Sequence, residues 1–166
     1  MRVLVTAASK HGATLEIAEA IAHRLASPDI DVVQRLPADV TALDGFDAVV
    51  LGSAVYAGRW LDPAKGLVDR FGAELRDRHV WLFSSGPVGD PPKPEEDPIE
   101  AAPMLEATGA RDHRVFAGRL DRSLLGFGEK AIVVALRAPE GDFRDWDAIH
   151  EWADDISKTL GQPDRS

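Results

Sequence analysis

The hydrophobic positions of this chain switch between two rhythms. Short apolar runs fall at Arg2 to Ala7, Ile30 to Leu36, Asp47 to Ser53, Val80 to Ser84 and Val115 to Leu120. Runs of that length, without polar alternation, predict strands buried on both faces. Between them the period lengthens to three or four. Leu15, Ala18, Ala22 and Leu25, with Ile17 and Ile21 alongside, form one stripe, while Glu16, Glu19, His23 and Arg24 keep to the polar side. That is the signature of an amphipathic helix, and Ser27-Pro28-Asp29 ends it. Ala64, Leu67, Val68, Phe71 and Leu75 form a second stripe. It opens at Asp62-Pro63, with Asp expected as the N-cap and Pro as the first helical residue. A third helix is expected over Ile99 to Thr108, kinked or starting late at Pro103. Trp146, Ile149, Trp152, Ile156 and Leu160 mark the last.

The intervening segments carry less periodicity. Residues 37–46 read mostly as loop. Gly86 to Pro98 holds five prolines and reads as an irregular surface loop. Within 121–141, Ile132 to Leu136 fits either a strand or a short buried helix. One domain is expected over 1–160, with a frayed tail at 161–166. Strands alternating with helices imply right-handed crossovers and a parallel sheet covered on both faces. The expected fold is α/β: a doubly wound five-stranded parallel sheet in the order 2-1-3-4-5. That order reverses direction between strands 1 and 3 and leaves a crevice beyond their carboxyl ends. Function is therefore sought in the loops after Ala7, Gly52 and Ser84.

Composition narrows the chemistry. The chain has 166 residues and no cysteine, which excludes disulfides, thiolate metal sites and a Cys nucleophile. The formal net charge is −9, so nucleic acid and anionic lipid are not expected partners. Residues 1–80 carry 9 basic and 11 acidic side chains, whereas 81–166 carry 10 and 17. The acidic half is either a solvated face or a docking surface for a basic partner. No apolar run approaches the roughly 18 residues of a bilayer span and no leader pattern is visible, so the cytoplasm is the expected location. The five histidines (His11, His23, His79, His113, His150) have no metal-ligand spacing, and no metal is expected. Ser84-Ser85 lacks the nucleophile-elbow pattern of a serine hydrolase. The acidic residues of a receiver domain are missing at Thr6-Ala7-Ala8 and Leu51-Gly52-Ser53.

The loops hold the candidate site. Ser9-Lys10-His11-Gly12-Ala13-Thr14 connects strand 1 to helix 1. Free amides at a helix start, with the positive end of its dipole, suit an anion. Ser9 and Thr14 can add hydroxyls, and Gly12 permits a tight turn. An alternative is that these hydroxyls only cap the helix. The second loop, Ser53-Ala54-Val55-Tyr56-Ala57-Gly58-Arg59-Trp60, combines small residues with two aromatics and suits a flat ligand. Stacking there would add about 0.5–1.5 kcal/mol beyond area burial. The alternative is that Trp60 packs on the following helix. The third loop, Ser84-Ser85-Gly86-Pro87-Val88-Gly89, offers hydroxyls and amides for a polar ring edge.

On these residues the chain resembles the flavodoxin superfamily over roughly 1–160, with S-K-H-G-A-T standing at the family's phosphate loop. It is most similar to the branch containing the menaquinone-dependent protoporphyrinogen dehydrogenase. The cues are V-V-L-G-S-A-V-Y-A-G-R-W, then V-F-A-G-R-L, an extra segment, and a closing helix beginning near Asp145-Trp146. The resemblance implies FMN, with its phosphate on loop 9–14 and its isoalloxazine between the loops after strands 3 and 4. Two departures are visible. His11 stands where flavodoxins usually have Thr, which costs one hydroxyl donor that an imidazole N–H could substitute. The fourth-strand loop lacks the Tyr that covers one flavin face in many flavodoxins. An open face favours an enzyme that stacks a flat quinone-type or aromatic partner there, with 121–137 as a candidate pocket wall. The alternatives are an electron carrier docking a larger redox protein, and a flavodoxin-fold interaction module without cofactor.

Overall fold

The computed structural model describes residues 1–10, 12–56, 59–86, 101–116, 119–120, 141–142 and 144–161. Five long strands form the sheet: β1 (Arg2–Ala8), β2 (Asp31–Arg35), β3 (Ala48–Tyr56), β5 (His79–Ser85) and β6 (Asp112–Phe116). They lie in the order β2-β1-β3-β5-β6, every neighbouring pair parallel. This is the expected doubly wound order. A sixth, two-residue strand, β4 (Arg59–Trp60), folds back antiparallel on β3.

Among the described residues four helices cover the sheet: α1 (Ala13–Leu25), α2 (Asp62–Arg76), α3 (Ala101–Thr108) and α4 (Trp146–Leu160). Strand alternation divides the core in two. Val3, Val5 and Ala7 of β1 pack with Ile17 and Ile21 of α1 and Ile149, Trp152 and Ile156 of α4. Leu4 and Ala8 face the other way, into a cluster with Leu67, Val68 and Leu75 of α2. On the α1/α4 side an aromatic trio, Phe83, Phe116 and Trp152, meets with ring centroids 5.6–6.2 Å apart. Gly52 makes room for it, since a Cβ there would fall inside the Phe83 ring. The 37–46 loop contributes Val40, Leu43 and Phe46 to the α2-side core. It holds a 3-10 turn at Pro37–Asp39 and a second turn at Asp44–Gly45, closed by the Phe46 amide on the Leu43 carbonyl at 3.1 Å.

Two sequence expectations shift. Asp62 is not the N-cap of α2. Leu61 occupies that position with extended backbone, no side chain caps the helix, and the Asp62 carboxylate lies 3.6 Å from Lys65. Asp145 does cap α4, accepting from the Ala148 amide at 3.1 Å. The fifth long strand begins at Asp112 and ends at Phe116, so it does not run through to Leu120. Arg119–Leu120 (β7) instead pairs antiparallel with Gly141–Asp142 (β8). The parallel ladder to β5 ends at Ser85↔Phe116, where β5 itself stops. The proline-rich segment from 87 on, the 121–137 segment with Ile132 to Leu136, and the tail from 162 lie outside the described residues.

Candidate functional site

The strand register gathers the three loops. Ala8, the last residue of β1, lies opposite Ser53. Ser53 and Ala54 of β3 lie opposite Ser84 and Ser85 of β5. The carboxyl ends of the three central strands therefore form one rim, with the chain reversal between β1 and β3 at its centre.

The loop after β1 turns abruptly into a helix start. Gly12 has φ 88° and ψ −15°, the left-handed region, and turns the chain directly into α1. A Cβ at Gly12 would meet no atom within 4 Å, so the space before the helix is open. No side chain caps α1. Its backbone bonding begins with the Glu16 amide on the Gly12 carbonyl at 3.1 Å. First-turn amides precede that bond in every helix and need partners from outside it. Ser9 Oγ accepts from the Gly12 amide at 2.9 Å, which leaves its O–H proton for a ligand. Thr14, only 2% exposed, lies in the first turn. Among the described residues Ser9 bonds the N-cap residue Gly12, and no side-chain cap reaches the first-turn amides. An uncapped helix start, a left-handed glycine and hydroxyl donors fit a phosphate monoester. Lys10 is exposed and Ala13 half-buried; His11 lies outside the described residues.

The loops after β3 and β5 are built differently. Val55↔Trp60 and Tyr56↔Arg59 close a tight hairpin, whose tip, Ala57 and Gly58, lies outside the described residues. Trp60 is 3% exposed within the α2-side core. Its indole Nε1 donates to Ser84 Oγ at 2.8 Å, and Ser84 Oγ lies 2.7 Å from His113 Nε2. The packing alternative for Trp60 is the one realised: its ring braces two loops and has no face open for stacking. Ser53 is equally engaged, accepting from the Leu61 amide at 2.9 Å and donating to the Ala54 carbonyl at 2.8 Å. It pins the start of α2 to the sheet. Ser85 is buried at the end of β5. Gly86 has φ 87°, and its amide donates to the Phe116 carbonyl at 2.9 Å. Pro87 lies outside the described residues. The predicted positions whose backbone borders the rim are thus Ala54, Val55, Tyr56, Ser85 and Gly86.

Sequence reading missed His113 and Arg144. His113 carries no motif and meets Ser84 only because β6 lies beside β5. Arg144 reaches α1 from just ahead of α4: its Nη1 lies 2.6 Å from Glu16 Oε2. No local pattern marks either contact. Among the described residues no cluster of His, Cys, Asp or Glu is arranged to hold a metal. No helix among them is long and apolar enough to cross a membrane.

A match to the Flavodoxin domain family spans residues 4–147, so the chain belongs to that family. Solved structures of the same fold include a flavodoxin from the domain Archaea, 20% identical, with 98% of this chain and 100% of that one covered and a TM-score of 0.67. Flavodoxin 2 from Bacillus cereus is also 20% identical, with 96% and 99% covered and a TM-score of 0.64. Rubredoxin oxygen:oxidoreductase from Desulfovibrio gigas is 14% identical; 96% of this chain matches 36% of that one, with a TM-score of 0.62. No curated protein matches the chain at a significant level. FMN is the cofactor the family implies, and the uncapped helix start beyond Gly12 fits its phosphate.

Proposed function

We propose that residues 1–160 are one FMN-dependent redox domain that exchanges electrons with a flat quinone-type or aromatic partner in the cytoplasm. The observation that carries this reading is the loop after β1, where α1 starts uncapped behind a left-handed Gly12. Ser9, Lys10, His11, Gly12, Ala13 and Thr14 would hold the phosphate. Ser53, Ala54, Val55, Tyr56, Ala57 and Gly58, with Ser84, Ser85, Gly86 and Pro87, would line the isoalloxazine. Bound FMN supplies the electron-transfer chemistry. The protein's part is to anchor the phosphate, to hold the ring edge against backbone of the β3 and β5 loops, and to leave one ring face for the partner. Trp60 supports that work by bracing the two loops, which leaves Tyr56 as the candidate aromatic beside the ring. The long motif ending at Trp60 and the Asp145-Trp146 helix start support the protoporphyrinogen dehydrogenase branch, and with it a quinone-type acceptor.

A second reading is an electron carrier for a larger redox protein. It is favoured by the excess of acidic side chains in residues 81–166, 17 against 10 basic. Absorbance spectra of the purified protein during titration with FMN, FAD and riboflavin test the shared core of both readings. Tight, FMN-selective binding supports it; a colourless protein that binds none of the three leaves an interaction module. Turnover with a soluble quinone then favours the first reading, and electron delivery to a redox protein without quinone turnover the second.

A further inference from the structure

We propose that Arg144 is a positioning residue for the flavin phosphate, acting through the first turn of α1; the proposal rests on loop 9–14 taking that phosphate. Arg144 lies 131 residues from Ala13 in sequence. Its side chain is only 5% exposed. From Nη1 it donates to Glu16 Oε2 at 2.6 Å and to the Ala13 carbonyl at 3.4 Å. Its guanidinium carbon stands 4.7 Å from the centroid of the Trp146 ring. Withdrawing a guanidinium from water this far is costly unless its donors are engaged. Here Nη1 is engaged on the helix turn that would face the phosphate.

Two consequences follow for an anion in the loop. The Ala13 carbonyl and the Thr14 N–H belong to the same peptide group. A cationic donor on that carbonyl polarises the N–H, making it a stronger donor at the helix start. The second consequence concerns Glu16. A carboxylate in the first turn suits the helix dipole by itself, but it repels a phosphate arriving at the same end. Arg144 pairs with Glu16 where it stands and so offsets that repulsion. The Arg144 contact offsets the Glu16 charge at 2.6 Å, and the two side chains can be separated by mutation.

The test compares FMN with riboflavin, which lacks the phosphate. The chain and its variants Arg144→Met, Arg144→Lys, Glu16→Gln and Arg144→Met/Glu16→Gln are titrated with each flavin, following flavin fluorescence, and melting temperatures are recorded. Arg144→Met is expected to weaken FMN binding by roughly three- to thirtyfold and to leave riboflavin within about twofold. Arg144→Lys should recover part of the loss. Glu16→Gln alone should leave FMN binding unchanged or tighter, and in the Arg144→Met background it should restore affinity. Equal loss for FMN and riboflavin, or a lowered melting temperature with unchanged FMN selectivity, would overturn the proposal. If Arg144→Met does not fold, Glu16→Gln decides it: weaker FMN binding in that variant refutes the neutralisation argument. A parent chain that binds FMN no better than riboflavin defeats the phosphate reading itself, an outcome separate from any variant's behaviour.

Discussion

In the loop after β1 the helix amides are left uncapped, whereas in the loops after β3 and β5 the hydroxyls are turned inward. Ser9 accepts from the Gly12 amide, and nothing in the described structure caps α1. Across the rim, Ser53 holds the Leu61 amide and Ser84 receives the Trp60 indole. Both regions are rich in small and hydroxyl residues and look alike as sequence. The difference lies in what each loop leads into. The first runs straight into a helix end, which brings unpartnered amides with it. The second returns on itself as a hairpin, so its polar groups find partners within the fold.

Mutations that break this contrast should act on stability at one end and on ligand affinity at the other. The largest effect is expected from Trp60→Ala. Removing a buried indole should cost about 3–5 kcal/mol of folding stability, read by denaturant unfolding without added flavin. A Trp60→Ala protein that unfolds like its parent but loses flavin affinity would return Trp60 to a stacking role. Next is Gly52→Ala. It drives a Cβ into the Phe83 ring and should cost about 1–3 kcal/mol through overpacking. Gly52→Ala/Phe83→Leu should regain part of that loss, and no recovery would mean that the strain lies elsewhere.

At the phosphate end the readout changes. Ser9→Ala and Thr14→Ala should each weaken FMN binding by roughly 1–3 kcal/mol, the cost of a hydrogen bond to a charged group. Riboflavin binding should hardly change, and equal losses for the two flavins would remove the phosphate assignment.

The smallest effect lies away from both loops. Arg24 of α1 donates to Asp154 of α4 at 2.8 Å. That hydrogen bond is the main reason the Asp154 carboxyl titrates below its ordinary range and the Arg24 guanidinium above its own. A lowered carboxyl pKa stabilises the fold above the unfolded-state value, and the gain is lost as pH falls through the folded-state value. Both groups are solvent-exposed, so the contribution is small and screened by salt. Asp154→Asn should lower the melting temperature slightly at neutral pH and low salt. The gap to the parent should close as the carboxyl is protonated in acid. A gap that persists there would point to a cause other than charge.

Most of the fold was legible along the chain, because burial imposes a period on each segment separately. The β1, β3 and β5 runs and the stripes of α1, α2 and α4 could be read from spacing alone, and the parallel order follows from their alternation. The candidate phosphate loop was legible for the same reason: a strand, a glycine and a helix start are neighbours in sequence. Tertiary structure alone decided the rest. It placed Trp60 in the core, stopped β6 at Phe116, paired Arg119–Leu120 with Gly141–Asp142, and set Arg144 on the first turn of α1. Each of these joins residues from separate elements or chooses which neighbour a strand takes. A period along the chain carries no information about such choices, which depend on the space and hydrogen-bond partners that the assembled sheet leaves open.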